Sequence, residues 1–73
     1  MRTFRDSDGR EWEAATTFGS YGALRLIFSR RNGDELRCCD MQAGTLRDAE
    51  QELAAFTDTA LREHLQSAVP WQA

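Results

Sequence analysis

The chain has no lysine; all nine of its basic residues are arginine. It has one histidine (His64), one proline (Pro70) and two cysteines, Cys38 and Cys39, which are neighbours. Each scarcity excludes something. The all-arginine set reads as the codon bias of a GC-rich genome and marks no site. One histidine and two cysteines without C-x-x-C spacing do not furnish a zinc site. Adjacent cysteines on a strand point to opposite faces, so a bond between them needs a strained turn; the pair fits a reducing compartment rather than a disulfide framework. No apolar run approaches the roughly 20 residues of a membrane helix, and the opening Met1–Glu11 has no apolar secretory core. The expected location is cytoplasmic, with no membrane partner. Basic excess is also missing. Formal net charge is -3, so no overall field draws in nucleic acid. Residues 1–40 set seven arginines against seven acids, and residues 41–73 set two against five, placing the acidic excess in the C-terminal third.

What is present is a 73-residue chain that is 41% hydrophobic. That suffices for a single small domain over residues 1–73, and not for a disordered tail. A chain this short buries only about 60% of its unfolded surface, leaving little room for a deep, dry pocket. No cofactor is expected.

The stretch "FRDSDGREWEA", Phe4 to Ala14, is the densest in chemistry-bearing side chains. Pairing Phe4 with Trp12 sets Arg5 opposite Glu11 and Asp6 opposite Arg10, and both of these flanking pairs favour an antiparallel ribbon. The loop is then Ser7-Asp8-Gly9, with glycine last, where a type I turn closes through a left-handed residue. A calcium loop from Asp6 fails, because glycine comes at its fourth position and Arg10 falls on a ligand position. A phosphate loop fails for want of further glycines and a following helix.

A second ribbon is expected in "LRLIFSRRNGDELRCC". A two-residue Asn-Gly turn sets Phe28 opposite Arg37. A three-residue loop, Arg31-Asn32-Gly33, instead sets Arg30 opposite Asp34, and pairs Phe28 with Leu36, Leu26 with Cys38 and Leu24 with Asp40. The second register gathers apolar residues on one face and is the one expected. It sends Arg25, Ile27, Arg37 and Cys39 to the other face. Between the ribbons, Thr16 to Ala23 reads as a connection whose Phe18 and Tyr21 cover the core edge or serve an interaction loop.

Two short helices follow. Thr45 caps the first, with Asp48 near its positive end and Leu46, Ala49, Leu53 and Phe56 at helical spacing; Thr57 or Asp58 caps the second, whose inner stripe is Ala60, Leu61, His64, Leu65 and Ala68. Pro70 stops it. The expected class is α+β, an antiparallel sheet of two hairpins with two short C-terminal helices packed on one face. The expected core is Phe4, Trp12, Ala14, Leu24, Leu26, Phe28, Leu36, Cys38, Leu46, Ala49, Leu53, Phe56, Leu61 and Leu65.

The candidates for chemistry are few. His64 with Cys38 or Cys39 is the only nucleophile–base combination, and a packed helix histidine is the plainer reading. Asp48, Glu50, Glu52 and Glu63 read as a solvated helix face. The outer sheet face is more telling. Arg25, Ile27, Arg37 and Cys39, with the Phe18–Tyr21 loop, suit a protein interface, where arginine beside apolar surface is common. Arg25, Arg30, Arg31 and Arg37 are the alternative, a weak nucleic-acid platform, but the aromatics that stack on bases lie on the other face.

The pattern Arg2-x-Phe4-x-Asp6-x-x-Gly9-Arg10-x-Trp12 resembles a group of short bacterial proteins of unknown function sharing an "RTF.DS.GREW" segment. The resemblance extends to the helix "TDTALREHL" and the following Pro70-Trp71, and finds no counterpart in Ala15 to Ala23. It implies a bacterial, cytosolic scaffold and no activity. The expectation is a non-enzymatic module whose partner is another protein, a large bacterial assembly being one class, or a second copy meeting through the same face or a sheet edge.

Overall fold

A computed structural model describes residues 2–18, 24–41 and 43–71. The first turn forms as its charges dictate. Strand β1 (Arg2–Arg5) pairs antiparallel with β2 (Glu11–Phe18), with Phe4 opposite Trp12 and Arg5 opposite Glu11. The Asp6 N–H donates to the Arg10 carbonyl at 2.9 Å, and Gly9 takes φ +81°, the left-handed position that glycine adopts without a Cβ penalty. The Asp6 carboxylate fills the loop, accepting from the backbone N–H groups of Asp8 and Arg10, each at 2.9 Å, and from the Trp12 indole at 2.8 Å.

Strand β2 runs longer than expected. Thr16, Thr17 and Phe18 belong to it and pair with β3 (Leu24–Arg30), Thr16 opposite Leu26 and Phe18 opposite Leu24. The connection is therefore shorter than the Thr16 to Ala23 expected, and Tyr21 lies outside the described residues. Strand β4 (Leu36–Asp40) follows, and a fifth strand, β5 (Val69–Pro70), closes an antiparallel sheet of order β1-β2-β3-β4-β5. The sequence pattern yields four strands, with Pro70 ending the second helix; β5 is additional.

The second ribbon departs from the expected register. Phe28 stands opposite Arg37, Leu26 opposite Cys39, Ile27 opposite Cys38 and Ser29 opposite Leu36. Arg30 faces Glu35, donating its N–H to the Glu35 carbonyl at 3.0 Å, not Asp34. Asn32, at φ 62°, takes the left-handed position of this turn, which a three-residue loop built like Ser7-Asp8-Gly9 gives to Gly33. A slip of one residue moves every side chain of β4 to the other face, and here the inner positions are Arg37, Cys39 and Met41. Each fills its place. The Arg37 guanidinium lies 5.7 Å from the Trp12 ring centroid, a cation–π contact that keeps its stem over apolar surface and its charge on Glu35. Cys39 and Met41 pack against the core. The expected placements of Leu36 in the core and of Arg37 and Cys39 on the outer face are thus corrected. Leu36 is 40% exposed.

Helix α1 (Leu46–Ala55) is capped by Thr45, whose Oγ1 accepts from the Asp48 N–H at 3.1 Å; α2 (Asp58–Ser67) is capped by Thr57, accepting from the Ala60 N–H at 3.1 Å. Both lie on one face of the sheet. Leu53, Leu61 and Leu65 form one buried cluster with Phe4, Trp12, Ala14, Leu26 and Phe28, and Phe4 and Phe28 meet edge to face with ring centroids 5.8 Å apart. Leu46, expected in the core, is 37% exposed because it sits in the first turn beyond the sheet-facing stripe of Ala49 and Leu53, and Phe56 is only half-buried. Among the described residues, no helix is long and apolar enough to cross a membrane.

Arg2 ties the layers together. Its Nη1 donates to the carbonyls of Leu53, Ala54 and Phe56 at 3.1, 3.2 and 2.8 Å, and its Nη2 reaches the Asp58 carboxylate at 3.3 Å. Helix α1 has no basic residue in its last turn, so a cation from β1 meets the negative end of its dipole.

Candidate functional site

Because both helices occupy one face of the sheet, the other is left bare of helices, and strand pairing determines what it displays. Ala15 stands opposite Ile27, Ile27 opposite Cys38, and Cys38 opposite Val69. Directly paired residues share a face, so these four form one apolar row across strands β2 to β5. The neighbouring row holds Thr3, Glu13, Ser29 and Leu36. It is extended by Trp71, whose N–H donates to the Leu36 carbonyl at 2.9 Å. Val69 is 59% exposed. Cys38, between Ile27 and Val69, is buried.

Ion pairs frame the row at both ends. On one side Arg25 approaches Asp40, Nε to Oδ1 at 3.4 Å. On the other, Arg5 pairs with Glu11 at 3.1 Å, and Arg31 reaches Glu11 at 3.6 Å and Glu13 at 3.5 Å. The outer face is therefore an apolar stripe between charge-balanced margins, not a basic surface. Arg25 Nε is out of solvent, and its contact with Asp40 lacks the alignment of a hydrogen bond, so its N–H has no hydrogen-bond acceptor among the described residues. A shallow depression of about 260 Å³, lined by Arg25, Cys38, Cys39, Asp40, Ser67 and Val69, lies where the end of β4 meets the exit of α2 and draws on both sides of the sheet.

Of the residues expected to bind protein, Arg25 and Ile27 are on this face, Arg37 and Cys39 are on the helix side, Phe18 is 58% exposed at the end of β2, and Tyr21 is outside the described residues. The four arginines of the nucleic-acid alternative are divided. Arg25 lies on the outer face and Arg31 beside it, paired to Glu11 and Glu13, whereas Arg30 and Arg37 hold inward positions of β3 and the β4 strand. Leu36, Val69 and Trp71 are residues of this face that the sequence does not announce; Cys38, expected in the core, is buried but on this side of the sheet. The alternation Val69-x-Trp71 was a strand signal hidden by the proline between them.

His64 and Cys39 do share a cleft, of about 240 Å³, with Leu26, Asp40, Met41, Glu52 and Phe56. The His64 ring lies against Phe56, centroids 4.9 Å apart, and no hydrogen bond joins it to a thiol among the described residues. Burial pushes the Cys39 thiol above its ordinary value, and the neighbouring Cys38 and Asp40 charges add to this, opposite to what a nucleophilic cysteine needs. Cys38 lies on the far side of the sheet. Among the described residues no group of three histidine, cysteine or acidic side chains is placed to hold a metal ion. At Asp6, partial desolvation works against ionisation, but the Trp12 indole, the Arg10 and Asp8 N–H groups and the Arg10 charge outweigh it and hold the carboxyl below its ordinary value. Those partners make it the keystone of the first turn. No family model, curated protein or solved structure matches the chain.

Proposed function

We propose that this chain is a non-enzymatic protein-binding module whose working surface is the outer face of its sheet. One observation carries the reading: Ala15, Ile27, Cys38 and Val69 form a contiguous apolar row, continued by Leu36 and Trp71, on a face bare of helices and bounded by ion pairs. An apolar centre with a polar, charged rim is how a specific interface is built. Arg25, beside Asp40, closes one margin of the stripe. The cytoplasm is its proposed setting.

The test is a photo-crosslinking residue introduced in place of Ile27, with a control at Glu50 on the exposed side of α1. Irradiation in living cells should give discrete protein adducts from position 27 and none from position 50. Equal labelling at both, or none at position 27, refutes the reading.

A further inference from the structure

We propose that the cleft between β4 and the two helices is a site for a soft monovalent metal ion, Cu(I), held by Cys39, Met41 and His64. The cleft lies on the helix side of the sheet and is independent of the outer face.

Strand alternation and helix packing bring the three donors to one place. Successive side chains of a strand point to opposite faces, so Cys39 and Met41, two residues apart, share a side. Cys39 stands opposite Leu26, and the Met41 N–H donates to the Leu24 carbonyl at 3.0 Å, which makes that side the inner one. Both sulfur-bearing residues pack against the core and are half-buried. His64, from α2, lines the same cleft of about 240 Å³. Its ring lies against Phe56, with centroids 4.9 Å apart, and no hydrogen bond holds its ring nitrogens among the described residues.

The donor chemistry names the metal. Thiolate and thioether are soft ligands that select Cu(I), and imidazole suits copper as well. Zinc asks for four ligands in a tetrahedron. Asp40 and Glu52 also line the cleft, but both are exposed, and no trio of histidine, cysteine and acidic side chains forms among the described residues. Zinc is therefore short of ligands, whereas Cu(I) is satisfied by two or three soft donors. Charge gives the same answer. One thiolate neutralises one Cu(I), while a divalent ion leaves a net positive charge in a half-buried site, which desolvation penalises. The two exposed carboxylates favour the approach of a cation.

Binding exchanges a proton for the metal. Burial keeps the Cys39 thiol protonated beyond its ordinary range. Cu(I) displaces that proton to solvent as the copper–sulfur bond forms. The copper stays Cu(I), so no electron moves and no oxidant is required.

The reduced full chain, titrated with Cu(I) in the absence of oxygen against the chromophoric chelator bicinchoninate, should retain one copper per chain and release one proton for each. A large molar excess of Zn(II) should not displace it. Cys39→Ala should abolish retention, whereas Cys38→Ala, on the opposite face, should leave it unchanged. An outer-shell partner is worth about 10–100-fold in metal affinity, so Met41→Leu and His64→Gln, each removing a ligand, should cost at least that much. A readout on the wild-type protein guards against misfolded variants. Ag(I), a redox-inert substitute, should shift the Met41 methyl and His64 ring resonances and leave in place the methyls of Ile27 and Val69, which flank Cys38. Loss of all copper to the chelator overturns the proposal. So does retention by Cys39→Ala, indifference to either Met41→Leu or His64→Gln, displacement by Zn(II), or Ag(I) shifts confined to the neighbours of Cys38.

Discussion

Replacing Arg2 with alanine should weaken the fold more than its position one residue from the start suggests. The guanidinium meets three carbonyls at the end of α1, the shortest at 2.8 Å to Phe56, and is 27% exposed. A hydrogen bond involving a charged group contributes about 1.5–3 kcal/mol, and three acceptors sharing one Nη do not add. The Asp58 contact, with a carboxylate 54% exposed, adds little. The loss should be about 2 kcal/mol, a large part of the few kcal/mol that hold a domain of this size. With a urea dependence of about 1 kcal/mol per molar for so small a chain, the unfolding midpoint should fall by about 2 M. Arg2→Lys keeps a charge but cannot span three carbonyls, and should recover only part of the loss. A change below about 0.3 kcal/mol for Arg2→Ala would refute the clamp and leave Arg2 as a solvated surface residue.

Asp6→Asn should cost about 1 kcal/mol at pH 7 by removing the charge that accepts from Trp12, Asp8 and Arg10. The Asp6 carboxyl is held below its ordinary 3.8, so its contribution is full above that pH and is lost as pH falls through the lower folded-state value; urea titrations of the two proteins should converge only in that acidic window. In the second turn, Asn32→Ala should destabilise by about 1 kcal/mol, because a left-handed residue other than glycine or asparagine is strained. Gly33→Ala should change stability by less than about 0.5 kcal/mol, its new Cβ meeting only the flexible Arg30 side chain at 3.3 Å. The reverse order in thermal melts would place the left-handed residue at Gly33 and restore the three-residue loop.

The first ribbon was legible because its signals agree. Opposite charges at Arg5 and Glu11, aromatics at Phe4 and Trp12, and one glycine all require the same register. The helix caps Thr45 and Thr57 were legible for the same reason, each being a threonine placed just before a helical apolar stripe. The second ribbon misled because apolarity was taken to decide the face. Arg37 lies inward, its stem and π contact over Trp12 serving where an apolar side chain was expected, and Cys39 and Met41 complete that side. With β4 flipped, Leu36 and Cys38 move outward, and half of the candidate site changes identity. Strand β5 was invisible because two residues carry no period, and its pairing with β4 depends on where the chain returns after α2. The Arg2 clamp depends on the carbonyls of Leu53, Ala54 and Phe56, more than 50 residues along the chain, which no local pattern announces.

The account rests on the alignment of β3 with β4, because that alignment puts the apolar row on the bare face. The Arg30–Glu35 and Leu24–Met41 hydrogen bonds make Ile27 and Cys38 a non-hydrogen-bonded pair, with Cα atoms about 4.5 Å apart. A nuclear Overhauser spectrum should therefore show a strong Hα–Hα contact between Ile27 and Cys38, with companions at Ser29–Leu36 and Arg25–Asp40. Strong Hα–Hα contacts at Phe28–Leu36 or Leu26–Cys38 would contradict it, returning Leu36 to the core and dissolving the proposed interface.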